Sequence, residues 1–123
     1  MKIVEIAFTG YPITDVKRAR AFYENVLRLE PTRIIENQNG HWIEYDLGES
    51  TFAISSMSKD EWKPSPDGPA IAFEVEDFDS AVADLRENNA IFVVEPFDTQ
   101  VCRMAIIADP DGNSICIRKR SVR

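Results

Sequence analysis

Histidine is nearly absent from this chain: His41 is the only one among 123 residues. A catalytic zinc centre draws on two or three imidazoles or their carboxylate equivalents, so imidazole-based metal chemistry begins with a single ligand. Cysteine is almost as scarce, with only Cys102 and Cys116. Two cysteines supply neither a disulfide framework nor metal-ligand spacing, and such usage fits a reducing, cytoplasmic setting. Basic residues are outnumbered, 14 Lys and Arg against 21 Asp and Glu, for a formal net charge of −7. Nucleic acid is bound by cations that neutralise phosphate, so this balance argues against it as a partner. No apolar run approaches the ~18 residues of a membrane span, and no basic-then-apolar leader opens the chain. Neither a membrane segment nor a signal peptide is expected.

What is present is an internal repeat. Apolar residues make up 44% and charged residues 28%, the balance of a soluble globular domain with one ordinary core. Within it, Ile13-Thr14-Asp15-Val16-Lys17-Arg18-Ala19-Arg20-Ala21 is echoed by Val75-Glu76-Asp77-Phe78-Asp79-Ser80-Ala81-Val82-Ala83. Asp15, Ala19 and Ala21 fall on Asp77, Ala81 and Ala83 at a single offset of 62. A repeat of that length is a complete supersecondary unit, and two such units together can enclose a pocket. The reading is one domain over 1–123, with a first module at 1–57, a linker at 58–68 rich in Pro and charge, and a second module at 69–123.

Each module reads as βαβββ. Residues 2–13 read as extended up to Pro12, followed by a helix that Thr14 or Asp15 caps and that runs to about Leu29. Strands follow near 32–37, 41–47 and 51–56, broken by Asn37-Gln38-Asn39-Gly40 and by Gly48-Glu49. The second module reads as a strand at 69–76, a helix near 78–89, and strands near 91–95, 101–108 and 113–119. Asp109-Pro110-Asp111-Gly112 suits a three-residue hairpin loop, with Pro presetting the first turn position and Gly the left-handed one.

Alternation at period two then separates the faces of the strands. Ile43, Tyr45, Leu47, Phe52, Ile54, Ile71, Phe73, Val75, Ala105, Ile107, Ile115 and Ile117 should pack against the helices. Trp42, Glu44, Ala53, Ser55, Ala70, Ala72, Glu74, Cys102, Met104, Ile106, Cys116 and Arg118 should face the other way. Mostly apolar walls with a few polar groups are what a ligand cavity needs.

Three stretches carry a resemblance: Asp15-x3-Ala19-x2-Phe22-Tyr23-x3-Leu27, its echo Glu76-Asp77-x3-Ala81-x3-Leu85, and Asp109-Pro110-Asp111-Gly112-Asn113 before the last strand. With the repeat, they make the chain resemble the vicinal oxygen chelate superfamily of glyoxalase I, bleomycin-resistance proteins and extradiol dioxygenases. The resemblance implies an α+β fold in which two βαβββ modules form a cupped mixed sheet with helices outside, usually as a homodimer. It also implies where a divalent ion would sit in metal-dependent members: on His, Gln or Glu of the first and last strand of each half. Those four positions fall here on Phe8, Ala53, Ala70 and Cys116. Three hydrocarbons and a thiol do not make a site for a divalent ion, and Glu5 is the only alternative donor in the first segment.

The expected ligand-binding set is Phe8, Trp42, Glu44, Glu74, Met104, Ile106, Cys116 and Arg118. Glu44 and Glu74 are the catalytic candidates, since a buried carboxyl with a raised pKa can act as acid or base; each could equally pair with Arg118 or face solvent. Arg118 could anchor an anionic ligand or belong to a solvated basic tail. Cys116 lacks a His partner to activate it and reads as a small buried hydrophobe, as does Cys102. His41 begins a strand, and Trp62 in the linker is a large ring suited to covering a pocket mouth or an oligomer contact. The leading expectation is a cytoplasmic, metal-independent small-molecule binding protein with a sequestering or resistance-type role and no cofactor. The alternative is a metal-dependent lyase, isomerase or dioxygenase holding a divalent ion such as magnesium or manganese through Glu5, Glu44 and Glu74. A third is a metal-free enzyme with Glu44 or Glu74 as base.

Overall fold

The computed structural model describes residues 2–57, 59–68 and 70–121. The chain divides into two compact units, Met1–Pro64 and Ser65–Arg123. Ser58 and Pro69, taken above as the starts of the linker and of the second module, lie outside the described residues.

The N-terminal unit comprises β1 (Thr9–Pro12), α1 (Val16–Arg20) continued by a π-helical segment (Ala21–Val26), β2 (Arg33–Asn37), β3 (Gly40–Leu47) and β4 (Ser50–Ser55). Its sheet order is β1-β4-β3-β2, with β1 parallel to β4 and the other pairs antiparallel. The C-terminal unit comprises β5 (Ile71–Glu74), α2 (Phe78–Glu87), β6 (Ile91–Asp98), β7 (Cys102–Ala108) and β8 (Ser114–Arg120). It repeats the pattern as β5-β8-β7-β6, with β5 parallel to β8. This is the α+β architecture of two βαβββ modules that the repeat implies.

The repeated aspartates are helix caps. Asp15 and Asp77 both take extended backbone angles, φ −128° and −133°, and each carboxylate accepts from an amide three residues on, Arg18 N and Ser80 N, at 3.0 Å. Each thereby satisfies one of the amides that a helix start leaves unpaired. Both helical segments end on a left-handed residue, Arg28 at φ 60° and Asn89 at φ 59°. Asn89 closes α2, with the Ala90 N–H on the Leu85 carbonyl at 2.9 Å and the Asn89 N–H on Arg86 at 3.0 Å, a Schellman arrangement.

The first helix was expected to run as a plain α-helix to Leu29; from Ala21 it is π-helical and ends at Val26. The Leu27 N–H reaches the Phe22 carbonyl at 3.0 Å, a bond of the i→i+5 type. The wider turn rotates successive side chains less, so the adjacent Phe22 and Tyr23 are both buried. Burying both rings against the sheet accounts for a departure that helix propensity gives no reason to expect.

Other expectations change at their edges. Only Thr9–Pro12 of the first segment pairs in the sheet; residues 2–8 stay outside it, with Ile3, Val4 and Ile6 more than three-quarters exposed. β6 runs on to Asp98 past Pro96, with register shifts between Phe92 and Val94 and between Val94 and Phe97. As an edge strand it tolerates a residue without an N–H. Leu47 is 40% exposed rather than packed in the core, because it stands at the hairpin end where β3 turns into β4.

The hairpins set the register. Gly48, at φ 60°, sits in a two-residue turn that pairs Leu47 with Ser50 and hence Glu44 with Ala53. Gly112, at φ 87°, completes the β7–β8 turn, where the Asp109 N–H meets the Asn113 carbonyl at 2.9 Å and Ile106 pairs with Cys116. The buried Asp109 carboxylate organises that loop, accepting from Asp111 N, Asn113 N and Asn113 Nδ2 at 2.8–2.9 Å.

The helix-facing parity makes the cores. In the N-terminal unit Phe52 is the hub, with ring centroids 5.5 Å from Tyr11, 5.3 Å from Tyr23 and 6.3 Å from Tyr45. The Tyr45 hydroxyl donates to Glu24 Oε2 at 2.8 Å, and Arg20 holds both oxygens of that carboxylate, Nε at 2.6 Å and a terminal nitrogen at 3.1 Å. The C-terminal core is aliphatic apart from Phe78: Leu85, Ala105, Ile107, Ile115 and Ile117 are buried.

Two outcomes follow from these contacts. Replacing Asp77 by Ala, or Asp15 by Ala, should cost about 1 kcal/mol each in urea unfolding, while Asp77→Asn should lose only part of that. Burial first, and then the bond to the Glu24 carboxylate, push the Tyr45 phenol well above its ordinary pKa of ~10. The folded chain holds that proton more tightly than the unfolded chain, so its contribution is intact below pH ~10 and is lost as pH rises beyond it. Tyr45→Phe should lower stability by about 1 kcal/mol at pH 8 and flatten the fall in urea midpoint above pH ~10. Parallel falls in the two proteins would place the titrating group elsewhere.

Candidate functional site

On the side of the N-terminal sheet turned away from α1, the sequence alternation brings three of the expected residues together. Trp42 and Glu44 stand two apart on β3, and the indole Nε1 donates to Glu44 Oε2 at 2.8 Å. Phe8, immediately before β1, sets its ring against Trp42 with centroids 4.9 Å apart and planes at 88°. Such an edge-to-face contact matches the positive edge of one ring to the negative face of the other. Ala53 lies between Glu44 and Gly10 in the sheet register and is fully buried.

Gly10 reveals one further member. A Cβ at that position would lie 3.1 Å from Trp62 Cη2 and 3.4 Å from Phe8 Cε1. Trp62 is therefore not a freely exposed ring of the linker; it is half-buried over β1 beside Phe8. A glycine inside a strand commonly marks such a close approach, and Gly10 is the sequence signal for it.

The C-terminal unit gathers the other expected residues on the corresponding parity. Ala72 and Ile106 flank Cys116 in the register, and Met104 and Glu74 flank Arg118. Arg118 donates to Glu74 Oε1 at 3.0 Å, and the Arg120 N–H donates to Glu74 Oε2 at 2.6 Å. Glu74 is exposed, and the Arg120 amide, followed by the Arg118 guanidinium, holds its carboxyl below the ordinary range. That is the opposite of the raised pKa expected above for an acid–base role. Its low pKa makes it a weak base, and with both oxygens engaged it is an ion-pair partner.

Cys116 is buried, and burial, aided by the nearby Cys102 thiol, pushes its pKa up. Both thiols are free; the Arg118 guanidinium lies beside both, and at Cys116 its pull is outweighed by burial. His41 lies on the helix side of the sheet, its Nε2 3.5 Å from the exposed Glu36 carboxylate. It lines an open hollow of ≈ 570 Å³ with Val16, Lys17, Arg20, Ala21, Glu24 and Asn25, on the opposite side of the sheet from Trp42 and Glu44.

The positions that would hold a divalent ion correspond between the units. Phe8 stands two residues before Gly10, the partner of Ala53, and Ala70 stands two before Ala72, the partner of Cys116. Phenyl, methyl, methyl and a protonation-favoured thiol offer no oxygen or imidazole donor, and this set does not fit a divalent ion. Among the described residues, no three His, Cys, Asp or Glu side chains come together in a way that could hold a metal. Among those residues, too, no helix is long and apolar enough to cross a membrane.

Known structures share this fold. TnmS3, an antibiotic binding protein from Streptomyces sp. CB03234, superimposes with a TM-score of 0.80 at 22% identity, over 98% of this chain and 99% of that one. A glyoxalase/bleomycin resistance protein from the same organism gives 0.77 at 21% identity, over 94% and 100%. A glyoxalase/bleomycin resistance protein/dioxygenase superfamily member from Sphaerobacter thermophilus DSM 20745 gives 0.74 at 23% identity, over 95% and 98%. No curated protein matches the chain. Residues 4–117 match the Glyoxalase/Bleomycin resistance protein/Dioxygenase superfamily across both repeats, and the chain belongs to that superfamily.

Proposed function

We propose that this chain is a metal-independent small-molecule binding protein with a sequestering or resistance-type role, working as a homodimer. The observation that carries the reading is Phe8. At a position where metal-dependent relatives carry a ligand, this chain has a ring set edge-to-face on Trp42, which in turn orients Glu44. An aromatic wall with one oriented polar group is a surface for holding an organic molecule. Met104, Ile106 and Cys116, with Glu74 and Arg118, occupy the corresponding face of the C-terminal unit. The antibiotic-binding role stated for TnmS3 supports the same class of function.

The metal-dependent alternative through Glu5, Glu44 and Glu74 is less well supported. Glu74 already carries an amide on one oxygen and a guanidinium on the other, and a metal would have to displace both. The metal-free base reading is left with Glu44, since both oxygens of Glu74 are already engaged, by the Arg118 guanidinium and the Arg120 amide.

Elemental analysis of untagged protein should give far less than one divalent ion per chain, and magnesium, manganese, zinc or iron should not raise the melting temperature. A library of planar aromatic molecules should contain compounds that do raise it, because a ligand of the folded state stabilises by mass action. Phe8→Ala or Trp42→Ala should weaken such a compound by about tenfold or more, as loss of a ring contact and its buried area requires. Stoichiometric metal, or a melting shift with one ion alone, would overturn the proposal.

A further inference from the structure

We infer that the face formed by Phe8, Trp42, Trp62 and Glu44 takes an organic cation: an amine or quaternary ammonium carried on a planar apolar body. This rests on the binding reading above and adds the charge of the ligand.

Glu44 is the starting point. Its Oε2 is held by the Trp42 indole at 2.8 Å, and the chain supplies no other hydrogen bond to the carboxylate among the described residues. Arg33 pairs with Glu44 in the β2–β3 register, yet the two form no ion pair. Six other carboxylates on the two units have a basic partner: Glu24 with Arg20, Glu36 with His41, Glu74 with Arg118, Glu95 with Arg86, and Asp79 and Asp98 with Arg103. Glu44 is half-buried, beside aromatic rings, and without such a partner among the described residues. A carboxylate in partly apolar surroundings gains most from a cation brought to it.

The remaining groups select in the same direction. Donation to Glu44 uses the single N–H of Trp42, which leaves that indole no donor for an anionic or carbonyl-bearing ligand. The faces of Phe8, Trp42 and Trp62 carry the negative part of the aromatic quadrupole, which attracts ammonium groups. The net charge of −7 raises the local concentration of cations and repels anions. Carboxylate, ring faces and net charge thus favour one sign.

The chain has only two tryptophans, both on this face, so its intrinsic emission reports binding here. Three probes with one body test the inference: 4-phenylbenzyltrimethylammonium, 4-phenylbenzyl alcohol and 4-phenylbenzylsulfonate, each titrated into full-length protein by tryptophan emission and by calorimetry. The cation should bind about tenfold tighter than the alcohol, the sulfonate should bind weakest, and the gap should narrow as salt is raised. Glu44→Gln, whose amide oxygen can still accept the indole N–H, should erase the difference between cation and alcohol. Equal affinities for cation and alcohol in the wild-type protein, or a preference for the cation that survives Glu44→Gln, overturn the inference while leaving small-molecule binding intact. Failure of all three to bind overturns both. The wild-type order and its salt dependence need no variant, so a misfolded Glu44→Gln would not rescue the claim.

Discussion

Leu47 and Ser50 face each other across the Gly48–Glu49 turn, and that register decides which side of the N-terminal sheet each side chain of β3 and β4 occupies. A slip of β3 by one residue would part Tyr45 from Phe52 and put Glu44 and Trp42 into the core. The core depends on the first pair, because Phe52 joins Tyr11, Tyr23 and Tyr45 into one aromatic cluster under the helix. The candidate site depends on the second, because Trp42 and Glu44 meet only when both point away from that cluster. Packing and binding surface are two faces of a single alignment.

The two units share a backbone and differ in chemistry. At the offset of 62, Trp42 corresponds to Met104, Glu44 to Ile106 and Phe8 to Ala70. The N-terminal unit thus holds an aromatic wall and a carboxylate without a cationic partner, and the C-terminal unit holds aliphatic and thioether groups beside a closed ion pair. Duplication preserves what the fold needs, the capping aspartates and the strand parity, and leaves the exposed face free to diverge. Membership of a superfamily that includes both catalysts and binders therefore says little by itself about activity, which has to be argued from the site residues.

The π-helical turn links helix packing to the polar network at its base. By allowing Phe22 and Tyr23 to be buried together, it brings Glu24 to the Tyr45 hydroxyl, where Arg20 neutralises it. A carboxylate at the edge of an aromatic core is tolerable only with such partners. Glu44, on the other face of the same sheet, has a single neutral donor. The contrast between these two glutamates separates a structural carboxylate from one available to a ligand.

Much of this architecture was legible in the sequence because it is written in short-range periods. The repeat, the aspartate caps, the two glycine turns and the alternation along each strand all involve residues within a few positions of one another, where backbone sterics and burial act directly. The superfamily positions occupied by Phe8, Ala53, Ala70 and Cys116 were legible for the same reason, since each is counted from a local motif. Tertiary structure alone decided the rest: the π-helical continuation of α1, the withdrawal of residues 2–8 from the sheet, the seating of Trp62 over Gly10, and the lowered rather than raised pKa of Glu74. Each of these depends on contacts between residues distant in sequence, such as Tyr45 with Glu24 or Glu74 with Arg118. Local period places a side chain on a face, and only the packed chain determines what meets it there.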